Sequence, residues 1–348
     1  MAKEFNVSVR TLDYPNLDFL RAVAVSFVYA FHLINNFGKP AIDLGRIGVL
    51  LFFFHTSLVL MMSLERLSFR KEPLFRSFYV RRFFRIYPLS MFCVLVIVMG
   101  QLPRAPWWPY ATPSLSTFAA NLFLYMNLVY APPVTSVLWS LPYEVQMYVI
   151  LPFLFLIGRR IQSGGIALLW FTSVIAGLTL PMLSGRLDLF SFGPCFMAGV
   201  FAYFAGYGSR SGPLPPWIWP ISIIGGSAVF SLADASGYIQ FGGWATCFIV
   251  AIASLYCRQL NVSFINRTCS LVAKYSYGIY LTHLHAMWIA FVVLANAPRI
   301  VQWTSLIALS IGLPFALYHF LEAPFVRLGA FCANRLSRPR VTPIPATI

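Results

Sequence analysis

The chain has 348 residues, of which 59% are hydrophobic and only 10% are charged. A soluble protein of this length needs a far more polar surface, so the composition excludes a soluble enzyme and indicates an integral membrane protein. The net charge of +15 does not indicate nucleic-acid binding, because the basic residues lie in short segments between apolar runs.

Ten apolar runs, each near the ~20 residues that cross a bilayer, follow one another along the chain. We predict an all-α polytopic membrane protein that forms a single transmembrane domain over residues 1–348. Its tails, 1–16 and 322–348, are predicted to be cytoplasmic. The predicted spans are 17–35, 46–64, 83–101, 138–157, 164–183, 189–206, 217–233, 241–257, 275–295 and 302–321.

The distribution of charge predicts the orientation of these spans. With the N-terminus inside, 19 of the 25 lysines and arginines fall in inner segments, 5 fall in outer loops, and Arg21 lies within the first span. This bias favours ten spans with both termini in the cytoplasm. The apolar stretch 114–130 is interrupted by Asn121 and Asn127. If it crossed the bilayer, all later segments would change sides, and most of their basic residues would lie outside. We therefore predict a short interfacial or re-entrant helix there.

The first span carries three ionisable residues on one stripe. Asp18 lies one turn before Arg21, and His32 follows eleven residues later. At ~100° per residue, eleven steps bring His32 within about 20° of Arg21 and roughly 16 Å further along the axis. Ionisable groups inside a bilayer are costly, so the stripe indicates a functional site. The alternative is an Asp18–Arg21 ion pair at the interface and a histidine that serves helix packing.

A basic cluster lies at the predicted cytoplasmic end of the third span. Arg82 and Arg85 share a helix face there, and Arg81 precedes Arg85 by one turn. The planar guanidinium group suits phosphate. The alternative is a positive anchor that binds anionic lipid.

Three further polar residues lie near the ends of later spans. Glu144 is predicted to lie at the depth of His32, where its carboxylate would orient the imidazole. The alternative for Glu144 is a carboxylate at the water interface. For His283 and Glu322 we favour structural polar packing. The six cysteines form no CxxC pair, so we expect neither a disulfide nor a metal site.

Six short motifs, in this order, resemble those of the acyltransferase 3 family, whose members acylate surface polysaccharides, peptidoglycan and some small molecules. The resemblance spans nearly the whole chain, from Leu17 to Leu328. The motifs are Arg21-x10-His32, Gly48-Val49-x-Leu51-Phe52-Phe53, Arg82-x-x-Arg85, Trp139-Ser140-Leu141-x-x-Glu144, Ser276-Tyr277-Gly278-Ile279-Tyr280-Leu281-x-His283 and Glu322-x-Pro324-Phe325.

Two positions depart from the family pattern. Leu50 stands where the family usually has an acidic residue, and His55-Thr56-Ser57 replaces a Leu-Ser-Gly turn. The chain also ends soon after the last predicted span, so we expect it to lack the extracytoplasmic esterase-like domain that some relatives carry.

The resemblance implies an O-acyltransferase that moves an acyl group, most often acetyl, from cytoplasmic acyl-coenzyme A to a hydroxyl of a cell-surface glycan or its lipid-linked precursor, such as O-antigen or exopolysaccharide. Acyl-coenzyme A is then a substrate, and no permanently bound cofactor is expected. The other implied partners are the glycan acceptor and membrane lipids, in a bacterial inner membrane. The oligomeric state and the choice between direct transfer and an acyl-histidine intermediate stay open.

The residue chemistry fits this implied reaction. His32 is the predicted base or acyl carrier, with Glu144 as its orienting carboxylate. The predicted coenzyme-binding residues are Arg21, Arg82 and Arg85. The residues predicted to bind substrate or to support the site are Asp18, Trp139, Ser140, Tyr277, His283 and Glu322.

The alternative function is a multi-span transporter or flippase, in which buried histidine, arginine and glutamate side chains relay protons or bind an anionic solute. The sequence shows no internal repeat, whereas many secondary transporters consist of two related halves. Turnover of acetyl-coenzyme A by the purified protein discriminates between the two functions.

Overall fold

The computed structural model describes residues 14–38, 42–161, 163–207 and 212–336. The predicted N-terminal tail up to residue 13 and the predicted C-terminal tail beyond residue 336 lie outside these described residues. The described chain is built from helices and has no β-strand.

Twelve α-helices follow one another along the described chain. They are α1 (Pro15–Phe37), α2 (Leu44–Phe69), α3 (Leu74–Met99), α4 (Leu115–Leu122), α5 (Leu141–Gly158), α6 (Ser163–Leu183), α7 (Leu189–Phe204), α8 (Ile218–Ala235), α9 (Ile239–Tyr256), α10 (Ser263–Trp288), α11 (Arg299–Leu317) and α12 (Ala323–Leu336). Short 3₁₀ turns cover Met126–Leu128, Ser136–Ser140 and Gly185–Leu187, and π turns cover Ile289–Val293 and Tyr318–Glu322.

The predicted fold class, an all-α polytopic membrane protein, is confirmed. Nine helical segments within the described residues are long and apolar enough to cross a bilayer. The predicted ninth span, 275–295, begins in α10, which is not among these nine segments. This helix has 26 residues and is therefore ~39 Å long. Polar side chains such as Lys274, Thr282 and His283 lower its hydropathy, and His283 contacts a residue of the site described below.

Helix α2 lies at the centre of the bundle. It is buried around most of its circumference, as expected for a helix that is hydrophobic on all sides, and it packs against α1 and α7. Glycines permit both contacts: a Cβ at Gly48 would meet the backbone of Ala24, and a Cβ at Gly199 would overlap Ser57 and the carbonyl of Phe54. The bundle core therefore depends on small residues at its helix crossings.

Replacement of Gly199 by alanine should destabilise the bundle. The added methyl group has no space between α7 and α2, and overpacking of this kind typically costs about 1–3 kcal/mol. We expect a lower thermal unfolding temperature in detergent. Gly225→Ala on α8 is the matched control, because a Cβ there meets no atom within 4 Å. Equal unfolding temperatures for the two variants would contradict the predicted close contact.

The connection between α3 and α5 contains the predicted short helix. This helix is α4, whose eight residues extend only ~12 Å and are too few to cross a bilayer. Asn121, one of the residues that interrupt the apolar stretch, holds the connection together. Its side chain donates to the carbonyls of Thr117 and Pro132 at 2.9 Å and accepts from the amide of Val134 at 2.9 Å.

Helical structure extends beyond the predicted spans at two places. The third span was predicted to begin at residue 83, but α3 begins at Leu74, and part of the predicted C-terminal tail forms α12. These two helices pack together: Gly329 contacts Phe84, and Arg81 donates to Asn334 at 2.7 Å. Arginines interrupt the apolar run at the start of α3. The helix nevertheless continues there, and α12 packs against this part of it. Arg82 and Arg85 consequently lie inside α3 and not at its mouth.

Candidate active site

Helices α1, α2, α3, α5 and α10, together with the 3₁₀ turn before α5, surround a cavity of about 100 Å³ that carries several polar side chains. We call it the arginine cavity. Three of its residues, Arg21, Arg82 and Arg85, are the predicted coenzyme-binding arginines. The other polar lining residues are His55, Thr56, Ser140, Glu144, Tyr148, Ser276, Tyr277 and Tyr280. Asp18, predicted on the same stripe as Arg21, does not line this cavity.

The three arginines have different surroundings. Arg21 Nε donates to Ser276 Oγ at 2.7 Å, and the ion pairs between described residues do not include the Asp18–Arg21 pair that was considered as the alternative. Arg85 forms an ion pair with Glu322, whose side chain is 1% exposed. Arg82 Nε is buried and has no hydrogen-bond partner within the described part of the chain. Arg82 is therefore the arginine with an unused donor next to the cavity.

Glu144 lies in the arginine cavity and not beside His32. Its Oε1 accepts hydrogen bonds from the Tyr148 hydroxyl at 2.6 Å and from Thr56 Oγ1 at 3.4 Å. The predicted contact with His32 is not formed. The reason is the 3₁₀ turn Ser136–Ser140, which carries the chain ~10 Å along its axis before α5 begins. Glu144 thereby reaches the depth of Arg21.

A second cavity, of about 290 Å³, contains His32. We call it the histidine cavity. Its lining residues are Val28, Phe31, His32, Asp43, Gly45, Arg46, Val49, Val137, Trp139 and Tyr280. Asp43 caps α2, since its Oδ1 accepts from the amide of Arg46 at 2.8 Å. Burial raises the pKa of the Asp43 carboxyl above its usual range, although the amide and the guanidinium group of Arg46 oppose that rise.

His283 is the group that lies next to His32. The two imidazole ring centroids are 5.1 Å apart. His283 Nδ1 lies 3.0 Å from the carbonyl oxygen of Ile279 and 2.9 Å from that of Tyr280. Because both neighbours are acceptors, we assign the ring hydrogen to Nδ1, which leaves a lone pair on Nε2. That Nε2 atom and His32 Nδ1 are both buried without a partner among the described residues.

The loop after α3 completes the surroundings of His32. Trp107 stacks on the His32 imidazole with 5.9 Å between ring centroids, and Phe31 makes an edge contact at 5.2 Å. Sequence reasoning missed both Trp107 and the His32–His283 pair. No spacing rule connects residues of different helices and loops, although His283 already stood in a motif.

Tyr280 and Val49 separate the two cavities, since they alone of the lining residues belong to both. The Tyr280 hydroxyl donates to the carbonyl of Val137 at 2.7 Å and lies 2.8 Å from Ser140 Oγ. A phenol has one hydrogen, so Ser140 donates to Tyr280. Tyr277, one turn earlier on α10, donates to the carbonyl of Ile86 at 3.0 Å. Ser140 therefore holds the Tyr280 side chain, and Tyr277 joins α10 to α3.

The profile of a family described as an acyltransferase domain matches residues 14–319. The chain belongs to the acyltransferase 3 family. O-acetyltransferase OatA of Staphylococcus aureus strain NCTC 8325 / PS 47 is 25% identical over 365 residues, which cover 90% of this chain and 57% of the relative. OatA of strain COL matches to the same extent. The chain thus spans less than two thirds of the length of these relatives. No solved structure matches the chain significantly.

In this acyltransferase 3 member, motifs that are far apart in sequence meet at the two cavities. Arg21, Arg82 and Glu144 converge on the arginine cavity, and His32 and Trp139 line the histidine cavity. His55, which departs from the family pattern, also lines the arginine cavity. Within the described residues, no three His, Cys, Asp or Glu side chains are grouped as a metal site would require.

Proposed function

We propose that this chain is an acyl-coenzyme A-dependent O-acyltransferase that acetylates a hydroxyl of a cell-surface glycan or its lipid-linked precursor. The observation that carries the proposal is the cluster of three arginines around a cavity inside a membrane domain. Buried cations in a bilayer are costly unless they serve a ligand or a partner. Arg85 has a partner in Glu322, whereas Arg82 Nε has no partner among the described residues and is suited to a phosphate or thioester oxygen.

His32 supplies the base in this proposal. The acceptor hydroxyl transfers its proton to the neutral imidazole as its oxygen attacks the thioester carbon. The new carbon–oxygen bond forms, the carbon–sulfur bond breaks, and the coenzyme thiolate leaves and takes up a proton. An acyl-histidine intermediate would divide the same transfer into two steps. The names of the relatives, both O-acetyltransferases, favour acetyl and an oxygen acceptor.

A direct test uses the purified chain in detergent with acetyl-coenzyme A and an extract of the cell envelope as the source of acceptor. We expect release of the free thiol, which a thiol reagent detects, and its dependence on His32. A transporter with the same buried charges would bind an anion without cleaving the thioester. Loss of ester-linked acetate from the cell envelope on deletion of the gene, followed by mass spectrometry of the glycans, would identify the acceptor.

We also propose that both termini lie in the cytoplasm of a bacterial cell, because the charge bias favours that orientation. A reporter fused after Lys71, between α2 and α3, should then report the cytoplasm. A reporter in the turn between α8 and α9, after Ser236, should report the outside. The same side for both fusions, or the reverse assignment, would contradict the orientation.

A further inference from the structure

The histidine cavity has the lining of a carbohydrate site. Trp139, which is partly buried, presents an aromatic surface of the kind on which an apolar sugar face packs. Asp43 and Arg46 stand at the same cavity and offer an acceptor and a fork of donors for hydroxyl groups. A mostly apolar cavity with a few polar groups of this kind is typical of small-ligand sites.

His32 lines this cavity, and His283 contacts the His32 ring. His32 Nδ1 and His283 Nε2 are both buried without hydrogen-bond partners among the described residues. Buried polar atoms seldom lack hydrogen-bond partners. These two nitrogens therefore indicate a ligand or solvent molecule that forms hydrogen bonds with them. A hydroxyl group fits, because it donates one hydrogen bond and accepts others.

We propose that the histidine cavity is the acceptor site, which binds one sugar ring of the glycan, and that Tyr280 and Val49 hold this ring apart from the donor in the arginine cavity. This inference rests on the proposed function and adds the position of the acceptor. The sugar hydroxyl reaches the thioester carbon at the wall between the cavities, where His32 takes its proton. The same wall keeps water from the thioester until an acceptor occupies the site.

The acceptor part is tested by Trp139→Ala and Arg46→Gln. The readout is ester-linked acetate that mild alkali releases from the envelope of cells expressing each full-length variant, which requires no knowledge of the acceptor. We expect a decrease of roughly tenfold or more, as for truncation of a central binding residue. The Michaelis constant for acetyl-coenzyme A should change far less. The matched control is Trp217→Ala, since Trp217 is 57% exposed and lines neither cavity.

The wall is tested by Tyr280→Ala and Val49→Ala in the purified chain. Both should increase thiol release from acetyl-coenzyme A in the absence of acceptor, because water gains access to the thioester, and both should lower envelope acetate. Val250→Ala is the control, because Val250 is also buried and lines neither cavity. Val49→Ala removes only two methyl groups and keeps the test valid if Tyr280→Ala does not fold.

The outcomes separate the inference from the proposed function. Normal envelope acetate in well-expressed Trp139→Ala and Arg46→Gln cells would overturn the acceptor site. Unchanged thiol release in folded Tyr280→Ala and Val49→Ala proteins would overturn the wall. If the wild-type protein released no thiol in the presence of the envelope extract and gene deletion left envelope acetate unchanged, the proposed function itself would fail.

Discussion

Replacement of His32 by glutamine should abolish acyl transfer and leave the protein folded in the membrane. Glutamine keeps a similar size and hydrogen-bonding capacity, but it cannot accept the proton of the attacking hydroxyl. Loss of a general base typically lowers the rate by a factor on the order of 10²–10⁴, and loss of a covalent step would cost more. The measurement is acetate transfer in cells together with the amount of variant protein in the membrane.

His319→Gln provides the matched control for this experiment. His319 is a histidine of the same bundle that contacts Tyr275 and lines neither cavity, so its replacement should leave transfer near normal. If His32 served only helix packing, His32→Gln would retain most activity and His32→Ala would lose protein abundance. Near-normal acetylation by a well-expressed His32→Gln variant would exclude His32 as the base and make His283 the next residue to test.

Glu322→Ala should destabilise the protein by about 3 kcal/mol or somewhat more, because it leaves Arg85 facing the interior without its counter-ion. Removal of one partner of a buried ion pair typically costs about 3–5 kcal/mol. The Arg85 side chain is 23% exposed, so solvent relieves part of that cost and the lower end is expected. The measurement is thermal unfolding in detergent, with donor binding as a second readout.

A double variant distinguishes charge from packing in this pair. Replacement of both Arg85 and Glu322 by leucine removes both charges, and such replacements are often neutral or stabilising. We therefore expect the double variant to unfold at a higher temperature than Glu322→Ala, although it should bind acetyl-coenzyme A poorly. Equal instability of the single and double variants would mean that side-chain volume, and not the ion pair, holds α3 against the Tyr318–Glu322 turn.

Local features of the sequence determined the membrane architecture. The length of an apolar run decides whether a helix can cross a bilayer, and the positions of Asn121 and Asn127 contributed to the prediction that α4 does not cross. The alignment of Arg21 with His32 follows from the helical repeat alone. Each of these inferences concerns a segment and its surroundings, so the sequence by itself was sufficient to make it.

Only the tertiary structure decided which side chains meet. Glu144 lines the same cavity as Arg21 and does not contact His32, because the position at which α5 begins depends on the 3₁₀ turn before it. His283 lies beside His32, and α12 packs against the arginine-rich start of α3. These contacts join segments that are far apart along the chain. Their relative depth and rotation follow from how all the helices pack together, which no single apolar run encodes.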